Sequence, residues 1–198
     1  MKSIVFDFDG VLGDTHDLII NFLTTKFFFS PKMADNMIRK SMFSFGSDSY
    51  VVWVFKKYFY RRLYKKLAKT KENYLFQAQI DQLDSLMVPK AIISHNHTQT
   101  CINILKNNKA KFQAIYGMNN SKNKVQALAD LVNSNPNFDL ENLIFVTDTV
   151  ADILEISQIL PKDRIFAVTY GFCTLEELSP YLPKNQIISN LSELKAFL

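Results

Sequence analysis

The sequence predicts an α/β protein, a Rossmann-like parallel-sheet core with an inserted all-helical cap domain. Three observations carry that prediction. Short apolar runs with β-branched centres recur along the chain, and segments of helical period lie between the later ones. The stretch between the first and second runs holds no convincing strand and is rich in helix formers and Phe. The first and fourth runs each lead into aspartate. In parallel sheets, ligands sit at the carboxyl ends of strands.

The first run, 2–6, ends in Asp-Phe-Asp-Gly, and Gly10 is a breaker. This reads as a buried strand entering a sharp turn. Helices are expected next over 16–28, 31–43, 48–69 and 72–87, with breaks at Ser30-Pro31 and near Gly46. Further strands are expected at 91–93, 112–116, 143–146 and 165–168. Between them, Thr98 suits an N-cap before Cys101, Ile102 and Leu105. Val125, Leu128, Ala129 and Val132 repeat at helical spacing, as do Ile153, Ile156, Ile159 and Leu160. Strands alternating with helices indicate a parallel sheet with right-handed crossovers. The division is therefore a core of 1–14 and 89–198 and a cap of 15–88.

Composition agrees with a globular domain and excludes disorder and fibrous architecture. The 198 residues are 47% hydrophobic and 21% charged, with 17 Phe and 8 Tyr for a core. No stretch approaches the roughly 18 consecutive apolar residues of a membrane span. Asp7 and Asp9 interrupt the apolar stretch that a secretory leader requires. Two distant cysteines, Cys101 and Cys173, match neither a disulfide framework nor a thiolate metal site. A cytoplasmic location is expected.

Four polar features fall at strand ends. They are Asp7 with Asp9, Asp148 with Asp152, Ser94, and a lysine beginning a helix, Lys124 or Lys122. Asp152 lies one helical turn beyond Asp148. Clustered carboxylates repel one another, and burying them unpaired is costly. A hard divalent cation resolves this. Mg²⁺ prefers oxygen ligands, and one or two carboxylates plus a substrate phosphate suffice to hold it. The lysine and the serine hydroxyl would suit a phosphoryl group. Taken singly, each piece has a plain structural reading as a turn former, an N-cap or a solvated charge. The set, in this order, does not.

Those segments resemble the haloacid dehalogenase (HAD) superfamily. Asp7-Phe8-Asp9-Gly10-Val11-Leu12 is similar to its first motif, Ile92-Ile93-Ser94-His95-Asn96 to its second, and Phe145-Val146-Thr147-Asp148-Thr149-Val150-Ala151-Asp152 to its fourth. The tail Val168-Thr169-Tyr170-Gly171-Phe172 is similar to the phosphoglycolate-phosphatase-like branch, which carries a helical cap between the first two motifs. The resemblance implies Asp7 as nucleophile, forming an aspartyl-phosphate, and Asp9 as general acid and then base. It implies Ser94, with backbone N–H groups around His95 and Asn96, as phosphate-binding. Asp7, Asp148 and the carbonyl of Asp9 would bind Mg²⁺, and Asp152 would complete or orient the metal shell. The dehalogenase branch lacks the second aspartate, so Asp9 favours phosphate chemistry. Two features depart from the pattern: Thr147 stands where Gly is usual, and the frequent Lys-Pro pair of the third motif is absent. In Lys122-Asn123-Lys124-Val125, residues two apart do not share a helix face, so one lysine serves. Lys124 is preferred, as a Lys-Val-x-x-Leu version of the motif, with Lys122 the alternative.

The implied activity is hydrolysis of a small phosphorylated metabolite. A sugar phosphomutase or a phosphonate hydrolase is the alternative on the same scaffold. The rival from another class is a non-catalytic protein that binds nucleic acid or membrane through a basic cap helix. Nucleic acid is disfavoured as a partner. The basic feature is 50–71, with Lys56, Lys57, Arg61, Arg62, Lys65, Lys66, Lys69 and Lys71 and no acidic residue. Val52, Phe55, Phe59, Leu63 and Leu67 give it one packing face. The plain reading is a solvated helix face, and steering of an anionic substrate is the functional one. Residues 15–88 carry 12 Lys/Arg against 6 Asp/Glu (+6) and the remainder 11 against 13 (−2), which restores the chain's +4. His16, beside the expected hinge, reads as a solvated helix-start residue.

Overall fold

The computed structural model describes residues 1–43, 74–117 and 120–198. Six strands, β1 (Ser3–Phe6), β2 (Lys90–Ile93), β3 (Ala114–Tyr116), β4 (Leu143–Thr147), β5 (Ile165–Val168) and β6 (Ile187–Ile188), form one sheet. All pairs are parallel, in the order β3-β2-β1-β4-β5-β6. Helices are α1 (His16–Phe27), α2 (Pro31–Phe43), α3 (Gln77–Gln82), α4 (Thr98–Leu105), α5 (Lys124–Ser134), α6 (Val150–Ile156) and α7 (Leu175–Leu178).

Alternation along the strands builds two cores. Ile4 and Phe6 of β1, Ile144 and Val146 of β4, and Phe166 and Val168 of β5 face one side, against α3, α4 and the C-terminal turn around Leu191 and Leu194, in an apolar cluster that extends to Ile19, Leu23, Ala34 and Ile38 of α1 and α2. Val5, Leu143, Phe145, Ile165 and Ala167 face the other, against α5, α6 and α7. A sheet covered on both faces needs apolar residues at successive positions, and this accounts for the continuous runs in the sequence. The first half of the chain winds outward from β1 on one face. The second half winds outward from β4 on the other. The switch point lies between β1 and β4, whose carboxyl ends carry Asp7 and Asp148.

Several local expectations change. β6 is a sixth strand that the sequence reading did not include, because a two-residue pair, Ile187-Ile188, carries no periodic signal. The expected helix over 72–87 is shorter. Phe76 N–H donates to Leu12 O at 3.0 Å and Asp14 N–H to Tyr74 O at 2.9 Å, so the two crossings between core and insert pair side by side before α3 begins. Backbone donors committed to that pairing cannot join a helix. Helix α3 docks on the C-terminal turn, where Gln79 and Gln82 side chains accept from the N–H groups of Leu191 and Ser192. Thr98 is the first residue of α4 and His97 takes the cap position. The helix expected at 48–69, with the basic stretch 50–71, lies outside the described residues. Among the described residues no helix is long and apolar enough to cross a membrane.

Candidate active site

The site begins where β1 ends. Asp7 N–H completes the sheet by donating to Val146 O at 2.8 Å, and the chain then turns sharply. Gly10 makes the turn with φ +76, and a Cβ there would lie 1.9 Å from Asp148 Oδ2. Only glycine tolerates both the conformation and the approach. Gly171 closes the other side, since its Cβ would stand 2.4 Å from the same oxygen. Two glycine backbones therefore cradle Asp148.

Lys124 is the positive centre. It opens α5, whose buried positions are Lys124, Ala127, Leu128 and Leu131, so its side chain occupies a core slot. Its Nζ contacts Asp7 Oδ1 at 2.8 Å and Asp152 Oδ2 at 2.6 Å. Thr147 O–H also donates to Asp152 Oδ2, at 2.7 Å. Burial opposes the Lys124 charge, but the two carboxylates outweigh it and hold the ammonium above its ordinary pKa. Burial would also raise Asp152, yet Lys124 and its hydrogen bonds bring it down to about 2. Asp7 differs. Burial drives its pKa well above 3.8 despite Lys124, with Asp152 and Asp148 adding repulsion. Its Oδ1 takes both Lys124 and the Phe8 N–H, at 2.7 Å, while its second oxygen takes part in neither contact.

Asp148 is fully buried. Phe172 N–H donates to its Oδ2 at 2.8 Å, whereas Oδ1 has no hydrogen-bond partner among the described residues. Burial raises its pKa to about 8, the Phe172 bond opposing and Asp152 and Asp9 reinforcing the rise. A buried acceptor without a donor, held by glycines beside other carboxylates, fits a hard cation with oxygen ligands. Among the described residues no group of three or more His, Cys, Asp or Glu side chains is arranged as a complete metal cage. A cation here would need the two carboxylates of Asp7 and Asp148, a carbonyl and water, which suits Mg²⁺.

The second motif stands opposite. Ser94 is buried, its N–H donates to Tyr116 O at 2.9 Å, and its Oγ accepts from Asn96 N–H at 3.0 Å. Asn96 is buried too, and its Nδ2 lies 3.5 Å from Asp9 Oδ2. His95 is largely exposed, with Nε2 3.8 Å from Glu155 Oε2. A recess between this loop and the start of α5 is lined by Ser94, His95, Gly117, Lys122 and Lys124. Lys122 is exposed at its rim, so the structure brings Lys124, not Lys122, against Asp7. His16 is half-exposed, stacked edge-on against Phe172 at 5.3 Å and 3.4 Å from Asp35 Oδ1. Cys101 and Cys173 are free thiols, both buried.

Three participants escaped sequence reasoning. Thr147, noted only as a departure, holds Asp152, and Thr149 caps α6 by accepting from Asp152 N–H at 3.3 Å. Glu155, buried, accepts from Lys124 N–H at 2.6 Å. An acid three residues after Asp152, in a helix otherwise apolar on that face, was its available signal.

A doubly wound parallel sheet with aspartates and a buried lysine gathered at its switch point defines an α/β protein with a polar ligand site at the strand ends. The sequence model for haloacid dehalogenase-like hydrolases matches residues 4–157. The chain belongs to this family and is a HAD-like hydrolase. Among solved structures, a haloacid dehalogenase-like family hydrolase from Streptococcus pneumoniae is similar at 24% identity and TM-score 0.76, covering 100% of this chain and 98% of that one. A predicted phosphatase from Clostridium acetobutylicum is similar at 20% identity and TM-score 0.72, covering 99% and 97%. A mutant of CbbY from Rhodobacter sphaeroides, in complex with xylulose-(1,5)bisphosphate, is similar at 11% identity and TM-score 0.64, covering 98% and 96%. At these identities the likeness shows the fold. No curated protein sequence matches.

Proposed function

We propose that this chain is a Mg²⁺-dependent phosphomonoester hydrolase acting on a small phosphorylated metabolite through an aspartyl-phosphate on Asp7. One observation carries the reading: Asp7 is buried with one oxygen fixed by Lys124 and the Phe8 N–H, beside an Asp148 whose Oδ1 lacks a donor. A carboxylate so restrained is aimed as a nucleophile. The CbbY complex with a sugar bisphosphate supports a phosphorylated small molecule as substrate.

In this reading Asp7 attacks phosphorus and the bond to the leaving oxygen breaks. Asp9, in its protonated form, gives its proton to that oxygen. Asp9 then takes a proton from water, which attacks phosphorus and releases Asp7 and inorganic phosphate. Lys124 and Ser94 hold the phosphoryl oxygens, helped by the backbone N–H of His95, while the Asn96 N–H holds Ser94 Oγ. Asp152, expected to complete or orient the metal shell, is read instead as acting through Lys124, whose ammonium it holds. Mg²⁺, held by Asp7, Asp148 and the carbonyl of Asp9, would neutralise charge on the phosphoryl group.

The cap is assigned within 15–88, with the paired crossings at 12–14 and 74–76 as its neck and α3 returning to the core. The basic stretch 50–71 supports attraction of an anionic substrate. Two buried free thiols suit a reducing compartment, and we place the enzyme in the cytoplasm.

Hydrolysis of p-nitrophenyl phosphate, with Mg²⁺ and with EDTA, tests the reading. Turnover should require Mg²⁺, and Asp7→Asn should lower kcat by about 10³-fold or more with the protein still folded. Equal rates in EDTA, or an active Asp7→Asn variant, overturn it. A panel of phosphorylated metabolites, scored for free phosphate against isomerised product, separates hydrolase from mutase.

A further inference from the structure

Glu155 is a buried carboxylate that the proposed reaction does not use. It sits on α6, three residues beyond Asp152, so the two acids share one face of that helix. Both reach the same residue of α5. Asp152 Oδ2 holds the Lys124 ammonium at 2.6 Å, while Glu155 Oε1 accepts the Lys124 backbone N–H at 2.6 Å. The first N–H groups of a helix have no intrahelical acceptor and carry the positive end of its dipole, so a buried carboxylate there is both hydrogen-bonded and charge-compensated. Asn123 caps the same turn differently, its side chain accepting from Gln126 N–H at 2.8 Å. The other Glu155 oxygen lies 3.8 Å from His95 Nε2, on the loop that carries Ser94.

We propose that Glu155 is a positioning residue that fixes the main chain of Lys124, and so sets the reach of its ammonium to Asp7. Asp152 alone could hold the ammonium through many side-chain rotamers, because the lysine stem has four rotatable bonds. Anchoring the N–H at the other end of the residue removes that freedom before substrate arrives. One helix face thus grips the lysine at both ends. The inference rests on the reading of Lys124 as the phosphoryl-site lysine.

Three variants test it in p-nitrophenyl phosphate hydrolysis, alongside hydrogen exchange of the Lys124 amide followed by NMR. Glu155→Gln keeps an acceptor at the same reach, Glu155→Asp draws the carboxylate back by one methylene, and Glu155→Ala removes it. Glu155→Gln should stay within about threefold of the parent kcat, while Glu155→Asp and Glu155→Ala should lose about tenfold or more with KM little moved. The Lys124 amide should exchange faster in the Asp and Ala variants and remain protected in the Gln variant. On a Lys124→Ala background, Glu155→Ala should cost nothing further, since it acts through that lysine. Equal kcat in the Gln and Asp variants, or an undiminished loss on the Lys124→Ala background, overturns the proposal. If Glu155→Ala does not fold, the Gln and Asp pair decides. If the parent protein hydrolyses nothing, the proposed function fails, and the amide exchange alone still decides whether Glu155 holds Lys124.

Discussion

Asp148 and Asp152 lie four residues apart on one connection, at the end of β4 and the start of α6, and both are buried. Their acidities nevertheless diverge, to about 8 for Asp148 and about 2 for Asp152. Desolvation pushes both upward, so burial cannot explain the difference. Partners do. Asp152 meets the Lys124 ammonium and the Thr147 hydroxyl, while Asp148 has one N–H, from Phe172, and other carboxylates nearby. One half of the site is electrically closed by the chain itself. The other half is open, and in the proposed function its unsatisfied oxygen is where a cation would complete the charge.

Removing the lysine should break this contrast most severely. Lys124→Met keeps most of the volume but leaves Asp152 buried without its counter-charge, and deprives Asp7 of the same partner. Breaking a buried pair in this way costs about 3–5 kcal/mol. Urea unfolding at neutral pH should show a loss of that size, and kcat should fall about 10²–10³-fold as transition-state charge loses its stabiliser. An unchanged unfolding midpoint would show that Lys124 does not hold the closed half together.

The open half should respond in the opposite direction. Asp148 has an ordinary pKa of 3.8 and a folded value of about 8. Its contribution to stability is present below pH 4 and is lost as pH rises through 8, because folding then confines an unpaired charge. Asp152, lowered to about 2, behaves inversely: its contribution is present above its ordinary 3.8 and is lost as pH falls through 2. Mg²⁺ should therefore stabilise little at pH 5, where it must displace a proton, and more as pH approaches 8. At a concentration 100 times its Kd the full stabilisation is about 2.7 kcal/mol. Asp148→Asn should raise the melting temperature of the metal-free protein above pH 6 and abolish the Mg²⁺ response. Melting curves with and without Mg²⁺ across that range measure both. A pH-independent Mg²⁺ shift would remove Asp148 from the cation site.

In both halves the residues were more legible in the sequence than their contacts. Asp7, Asp9, Asp148 and Asp152 each follow a strand or begin a helix in a motif that spacing alone reveals. The alternation of strands and helices indicates a parallel sheet, but not the order of its strands. Contacts between distant segments were hidden. Nothing in the local sequence says that Phe172 N–H reaches Asp148, or that Glu155 reaches the start of α5, because both depend on how separate connections converge above the sheet. The pairing at 74–76 was lost for a related reason: its partner, 12–14, lies across the whole insert. Helix periodicity in 72–87 could not register a competitor so far away in sequence.

The smallest expected effect concerns the lysine that stands just outside the comparison. Lys122 and Lys124 are two residues apart, and from sequence alone either could serve. The buried face of α5 decides by its phase. Lys124, Ala127, Leu128 and Leu131 follow the i, i+3, i+4, i+7 pattern of a packed helix face. The apolar repeat expected at Val125, Leu128, Ala129 and Val132 is displaced from it by one position, since Val125, Ala129 and Val132 are only partly buried. A lysine therefore fills the first slot of a core face, where an unpaired ammonium would be excluded and Asp7 and Asp152 keep it charged. Lys122 precedes the Asn123 cap and is exposed, so its charge is screened by solvent. Lys122→Ala should leave stability within about 0.5 kcal/mol and kcat within about twofold. Loss of turnover in that variant, with Lys124→Met still active, would reverse the assignment and with it the account of why Asp152 is so acidic.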